Sequence, residues 1–258
     1  MLGYRVMRGL RGRWCIIGTV ALASCTGLLG IDRDYTESAA SAGDSAPSHA
    51  IIRRPAISAG SVSAASQAAQ ASITAGDLLV VAVYWAQHTA SVQVTDTLGN
   101  RWTHLSAQNA CAISMVQIWY AEGAAGGSDT ITVTQDSTDK LGFFLLAYGG
   151  IMPAGSFDAA NEQSASSAGS NAMQVGPLVT SGSLDVIIAI FADTRVSSGL
   201  MGTGAGFTRE GADQGFISLV EDNAVAPVPP GSYYATAALP ASTSDICWSA
   251  VAAAFKAQ

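Results

Sequence analysis

The sequence predicts an all-β fold, a jelly-roll-like β-sandwich of about 10–12 strands. Three observations lead there. Short runs rich in Val, Ile, Thr and aromatic residues recur from about residue 57 onward, separated by clusters of Gly, Asn, Asp and Ser. Such side chains fit a pleated, half-buried surface. Four runs, 78–85, 141–148, 184–191 and 247–254, are apolar at nearly every position, which is the pattern of strands covered on both faces. The chain also repeats itself. Ile73-Thr74-Ala75-Gly76-Asp77-Leu78-Leu79-Val80 matches Val179-Thr180-Ser181-Gly182-Ser183-Leu184-Asp185-Val186, and 141–148 falls on 247–254 at the same spacing. Between them, 128–134 resembles 232–238. The sandwich is therefore expected to consist of two pseudo-repeated halves, about 73–150 and 179–257, folded as interleaved Greek keys.

Each element has its own justification. The doubly covered runs sit centrally. Around them, strands are expected at 91–96, 102–107, 114–120, 130–135, 173–179, 207–211, 216–220 and 232–239, and the run 247–254 belongs to a last strand at 246–255. Thr130-Ile131-Thr132-Val133-Thr134 alternates, so its Thr face should meet water. Leu98-Gly99-Asn100 has the residues of a hairpin turn. Ala250–Ala254 favours helix on propensity alone, but its match to the apolar run 141–148 makes it a strand. With 49% hydrophobic and only 12% charged residues among 258, the chain is no solvated tail. A net charge of −7 and a pI near 4.7 exclude an electrostatic nucleic-acid binder.

The N-terminus carries the most specific signal. Arg5, Arg8, Arg11 and Arg13 form a basic region with no acid, and a mostly apolar stretch follows at 14–23. That stretch is too short to span a bilayer and suits a secretory signal. It ends in Leu22-Ala23-Ser24-Cys25, which resembles the bacterial lipoprotein lipobox. The resemblance implies removal of residues 1–24 and acylation of Cys25, which becomes the mature N-terminus. Two or more acyl chains anchor stably, at about 0.8 kcal/mol per buried methylene. Thr26 is not the Asp that retains lipoproteins at the inner membrane, so the resemblance points to the outer membrane. Cleavage removes four Arg and no acid, and the remaining eight basic and nineteen acidic residues give −11. Such a body is repelled by anionic headgroups. Residues 25–56, rich in Ser and Ala, are expected to be a flexible tether with a reach of roughly 30 Å, and 57–258 the sandwich.

Cys111 and Cys247 remain as the one pair open to an internal disulfide in an oxidising compartment. Two buried free thiols are the alternative. No catalytic or metal-binding constellation and no cofactor motif emerges. His49, His88 and His104 have no partner at ligand spacing. Gly202-Thr203-Gly204-Ala205-Gly206 lacks the Lys-Ser/Thr ending of a phosphate loop. Asp96, Glu122, Asp158, Asp193, Glu210 and Glu221 are available for a hydrolytic carboxylate pair, but nothing in their spacing selects two. Aromatic residues are the remaining route. Trp119 and Trp248 read as core, whereas Trp102, beyond the Leu98-Gly99-Asn100 turn, and Tyr233-Tyr234 are the candidate ligand-binding residues.

Several segments taken together, Ala75-Gly76-Asp77-Leu78-Leu79-Val80, Asp96-Thr97-Leu98-Gly99-Asn100-Arg101-Trp102, Ile118-Trp119-Tyr120-Ala121, Tyr148-Gly149-Gly150 and Ala253-Ala254-Phe255-Lys256, are similar to a loose group of secreted bacterial β-sandwich domains. No activity travels with that resemblance. The second half has no counterpart of Leu-Gly-Asn-Arg-Trp, so a site there would be single. The expected function is that of a lipid-anchored envelope protein with a non-catalytic binding, adhesive or structural domain and a glycan or protein ligand. The alternatives are a carbohydrate-binding accessory module and, behind it, a hydrolase.

Overall fold

The computed structural model describes residues 50–258 except 87–89, 111–113, 168–170, 194–199, 217 and 240–245. The expected signal sequence, Cys25 and most of the tether lie outside the described residues, as do His49, His88 and Cys111. The first half contributes β1 (Ile52–Arg53), β2 (Ile57–Ser63), β3 (Ser66–Ile73), β4 (Leu78–Trp85), β5 (Val92–Asp96), β6 (Thr103–His104), β7 (Gln108–Ala110), β8 (Ser114–Ala121), β9 (Gly127–Gln135) and β10 (Lys140–Gly149). The second contributes β11 (Phe157–Ser167), β12 (Ala172–Thr180), β13 (Asp185–Asp193), β14 (Gly202–Thr203), β15 (Thr208–Asp213), β16 (Ser218–Asp222), β17 (Gly231–Ala238) and β18 (Ile246–Lys256). The fold is all-β, as expected, and every expected strand is present at least in part.

The strand order repeats. In the first half an inner sheet runs β2-β10-β4-β8-β7, with β1 and β6 extending its margins, and an outer sheet runs β3-β9-β5. The second half reproduces both as β11-β18-β13-β16-β15 and β12-β17-β14. Each half thus has jelly-roll order by itself. The halves do not interleave, because every ladder among the described residues pairs strands of one half. The repeat also begins earlier than the sequence match suggests, at β2 and β11. β1 pairs with β10 through Ile52↔Gly149 and Arg53↔Tyr148, so the folded chain starts before the boundary expected at residue 57.

Alternation explains why the central strands read as continuously apolar. Successive side chains point to opposite faces. On β4, Leu78, Val80, Ala82 and Tyr84 pack toward the second half, while Val81, Val83 and Trp85 pack on the outer sheet of their own half. On β13, Val186, Ile188 and Ile190 face the first half, and Ile187, Ala189 and Phe191 face β12 and β17. Three cores therefore separate four stacked layers, with the two inner sheets face to face. Gly142 interrupts β10 for a steric reason. A Cβ there would lie 2.3 Å from Cζ of Tyr84, a ring buried in the interface between the halves.

Polar side chains fix the register of that interface. Asp213 Oδ2 accepts hydrogen bonds from Tyr84 Oη at 2.7 Å and from the Ser61 amide at 2.6 Å. Tyr148 Oη donates to Asp222 Oδ2 at 2.5 Å. Tyr120 stacks on Phe157 and meets Phe255 edge-on, with ring centroids 5.5 and 5.2 Å apart.

Candidate functional site

The Asp96–Trp102 segment is not a hairpin between neighbouring strands. It carries the chain from β5, in the outer sheet, to β6, in the inner one. Two carboxylates shape it. Asp96 Oδ1 accepts from the amides of Gly99 (2.5 Å) and Asn100 (3.1 Å), and Asp96 Oδ2 accepts from Trp102 Nε1 at 2.6 Å. Asp129, itself buried, accepts from the Thr97 amide and hydroxyl at 3.0 and 2.8 Å. Gly99 has φ +74°, a conformation that a Cβ disfavours. Asn100 Oδ1 accepts from the Ala125 amide at 2.8 Å, tying the segment to the loop after β8. These bonds hold the Trp102 indole in one orientation.

Beside it lies an open cleft of about 360 Å³ lined by Gln93, Val94, Thr95, Asp96, Gly99, Asn100, Trp102 and Trp119. Its long wall is β5, the edge strand of the outer sheet. Val92 and Val94 point into the core, which leaves Gln93 and Thr95 exposed. Trp119 is 5% exposed and belongs to the core beneath. Its Nε1 donates to Gln117 Oε1 at 3.0 Å, and its ring contacts the exposed His104 with centroids 4.7 Å apart. The cleft thus combines two indoles with amide and hydroxyl groups, the composition of a site that fixes a partly apolar ligand by a few polar contacts.

The structure brings Trp102 to this cleft and leaves the other aromatic candidates elsewhere. Tyr233 and Tyr234 lie on β17, in the outer sheet at the other end of the stack. Tyr233 packs against the core there, its hydroxyl donating to the Pro229 carbonyl at 3.0 Å, while Tyr234 is exposed. Trp248 is buried, as its apolar strand implies. Sequence reading assigned Trp119 to the core alone and did not single out Gln93 or Thr95. The signal for the latter two was the alternation Val92-Gln93-Val94-Thr95. Cys247 is fully buried and disulfide-bonded, its partner lying outside the described residues.

Asp96, Glu122, Asp158 and Glu210, four of the six acids considered for hydrolysis, have other engagements. Glu122 binds the connection between the halves: Oε1 accepts from the Ser156 amide, the Ser156 hydroxyl and the Phe157 amide at 2.6, 2.6 and 3.0 Å, and Oε2 from the Gly155 amide at 3.0 Å. Burial alone would raise its pKa, but these donors outweigh burial and hold it below the usual range. Truncation leaves those donors without an acceptor. Glu122→Ala is therefore expected to lower the unfolding free energy by about 2–3 kcal/mol, and Glu122→Gln by about 1 kcal/mol, in urea titrations. Equal stability of all three proteins would contradict this role. Asp158 accepts from the Ser181 amide and hydroxyl and pairs with Lys256 at 2.9 Å. Glu210 and Asp222 do share a cation, Arg53, but they face the interface between the halves and are 7% and 0% exposed at the side chain. Burial and the Asp222 charge push Glu210 up to about 7. Among the described residues, no group of three or more His, Cys, Asp or Glu side chains is arranged to hold a metal ion.

No protein-family model, curated protein or solved structure matches the chain.

Proposed function

We propose that this chain is a lipid-anchored protein of the bacterial envelope whose duplicated sandwich is a non-catalytic binding domain, with the Trp102 cleft as its ligand site. The observation that carries the binding role is the cleft itself. An indole is held in place beside exposed polar groups on a strand edge, where a purely structural turn would need only the backbone bonds made by Asp96 and Asp129. The acids support a role without catalysis, since Glu122, Asp158 and Asp213 each accept several structural hydrogen bonds. Anchoring rests on the sequence, on Arg5 to Arg13, the short apolar stretch and Leu22-Ala23-Ser24-Cys25. Thr26 favours the outer membrane, and the acidic body held at the end of a polar tether excludes nucleic acid as a partner.

Labelling cells with radioactive palmitate tests the anchor. Wild-type protein is expected to carry the label and to fractionate with the outer membrane, and Cys25→Ala to lose both. An unlabelled wild-type protein would refute it.

A further inference from the structure

Resting on the reading of this cleft as the ligand site, we infer that the cleft takes an uncharged carbohydrate chain. A sugar ring is amphipathic, with C–H groups on its faces and hydroxyls around its rim. The cleft matches both properties. The Trp102 indole, its N–H already bound to Asp96, offers an apolar ring. Gln93, Thr95 and Asn100 surround it with neutral donors and acceptors.

Charge narrows the class. Among the described residues, no Lys, Arg or His lines the cleft, and the one ionisable lining group is Asp96. An acidic polymer would meet that carboxylate on a mature body of net charge −11 and find no cation among the described lining residues to compensate. Shape narrows it further. The cleft is open along β5, so a chain can lie across it without threading, and its volume suits one or two sugar rings. An extended peptide could pair with the edge of β5 that carries no ladder among the described residues, but that edge is only five residues long and ends at the Asp96 turn. The Leu-Gly-Asn-Arg-Trp segment occurs once, so one ligand per chain is expected.

The test uses the full-length protein purified from membranes in detergent. Tryptophan emission is followed during titration with cellohexaose, chitohexaose, xylohexaose and maltohexaose, with polygalacturonate as the acidic probe and an extended Val/Thr peptide as the strand-pairing probe. At least one neutral hexasaccharide is expected to bind saturably, one per chain. Trp102→Ala should weaken it by about tenfold or more. Gln93→Ala, a surface change that leaves the melting temperature unaltered, should weaken it several-fold, and Tyr234→Ala should have no effect. Binding of none of the neutral sugars, or of polygalacturonate alone, overturns the carbohydrate assignment. Trp102-dependent binding of the peptide alone overturns it too, yet leaves the cleft as a ligand site. Sugar binding that survives both Trp102→Ala and Gln93→Ala overturns the assignment of the cleft as well.

Discussion

Cys247→Ser is expected to lower the unfolding free energy by about 4–5 kcal/mol, the largest effect of any single substitution considered. A cross-link stabilises by restricting the unfolded chain, and the restriction grows with the loop it closes. Cys247, on β18, is disulfide-bonded, and we propose Cys111 as its partner, since Cys15 leaves with the expected signal sequence and Cys25 is the expected acylation site. That proposal is motivated by a described contact of β18. Two residues beyond Cys247, Ser249 Oγ lies 3.4 Å from Ser114 Oγ and donates to the Ser114 carbonyl at 3.3 Å. Ser114 follows Cys111 by three positions. The bond would therefore close a loop of more than half the chain and staple the first half to the last strand of the second. Urea unfolding should show the same loss for Cys247→Ser, for Cys111→Ser and for the double variant, since all remove one bond. A stable Cys111→Ser protein, or a non-reducing peptide map without the Cys111–Cys247 cross-link, would contradict the pairing.

Raising the pH from about 5 to 8 should destabilise the fold by a few kcal/mol. Glu221 is fully buried on β16, with Oε2 accepting from the Gly204 amide at 3.1 Å and Oε1 without a hydrogen-bond partner among the described residues. Arg209, opposite it on β15, gives its guanidinium to the Met201 carbonyl instead. Burial, partly offset by the Gly204 amide and reinforced by Asp222, pushes Glu221 up to about 8. Burial and Asp222 bring Glu210 to about 7 against the pull of Arg53, and burial beside Asp158 brings Asp185 to about 6, with Lys256 opposing. All three hold their protons in the folded state at a pH where the unfolded chain has released them. Their contribution is complete below about pH 4, near the unfolded carboxyl values, and is lost as pH rises through the folded ones. Asp158, Glu122 and Asp213, held low by their donors despite burial, act in the opposite sense and lose their contribution as pH falls below that range. Stability should peak in mildly acidic solution. Glu221→Gln should remove about half of the decline and exceed wild type at pH 8. A flat profile in the wild type would contradict the protonated state of these acids.

Much of the fold was legible in the residues because the four inner strands must satisfy two cores at once. That demand writes a continuous apolar run into β4, β10, β13 and β18 and overrides the helical propensity of Ala250–Ala254. Strands β2, β3 and β11 were not assigned for the converse reason. They are Ser-, Ala- and Gln-rich edge strands, where one ladder and partial burial suffice and β-branched side chains are not required. Their omission is also why the repeat seemed to start late. Trp102 was legible from its place after a turn, but the cleft was not, because β5 and β8 reach it from different sheets. The Tyr84–Asp213 and Tyr148–Asp222 contacts join residues of different halves, and no local pattern announces them.

The identity of the mature N-terminus tests most directly whether this protein is an anchored envelope component. Intact-mass and peptide analysis of protein isolated from its native membrane should find a chain beginning at Cys25 with acyl groups attached to it. A chain that begins elsewhere, or whose Cys25 carries no lipid, would contradict the account.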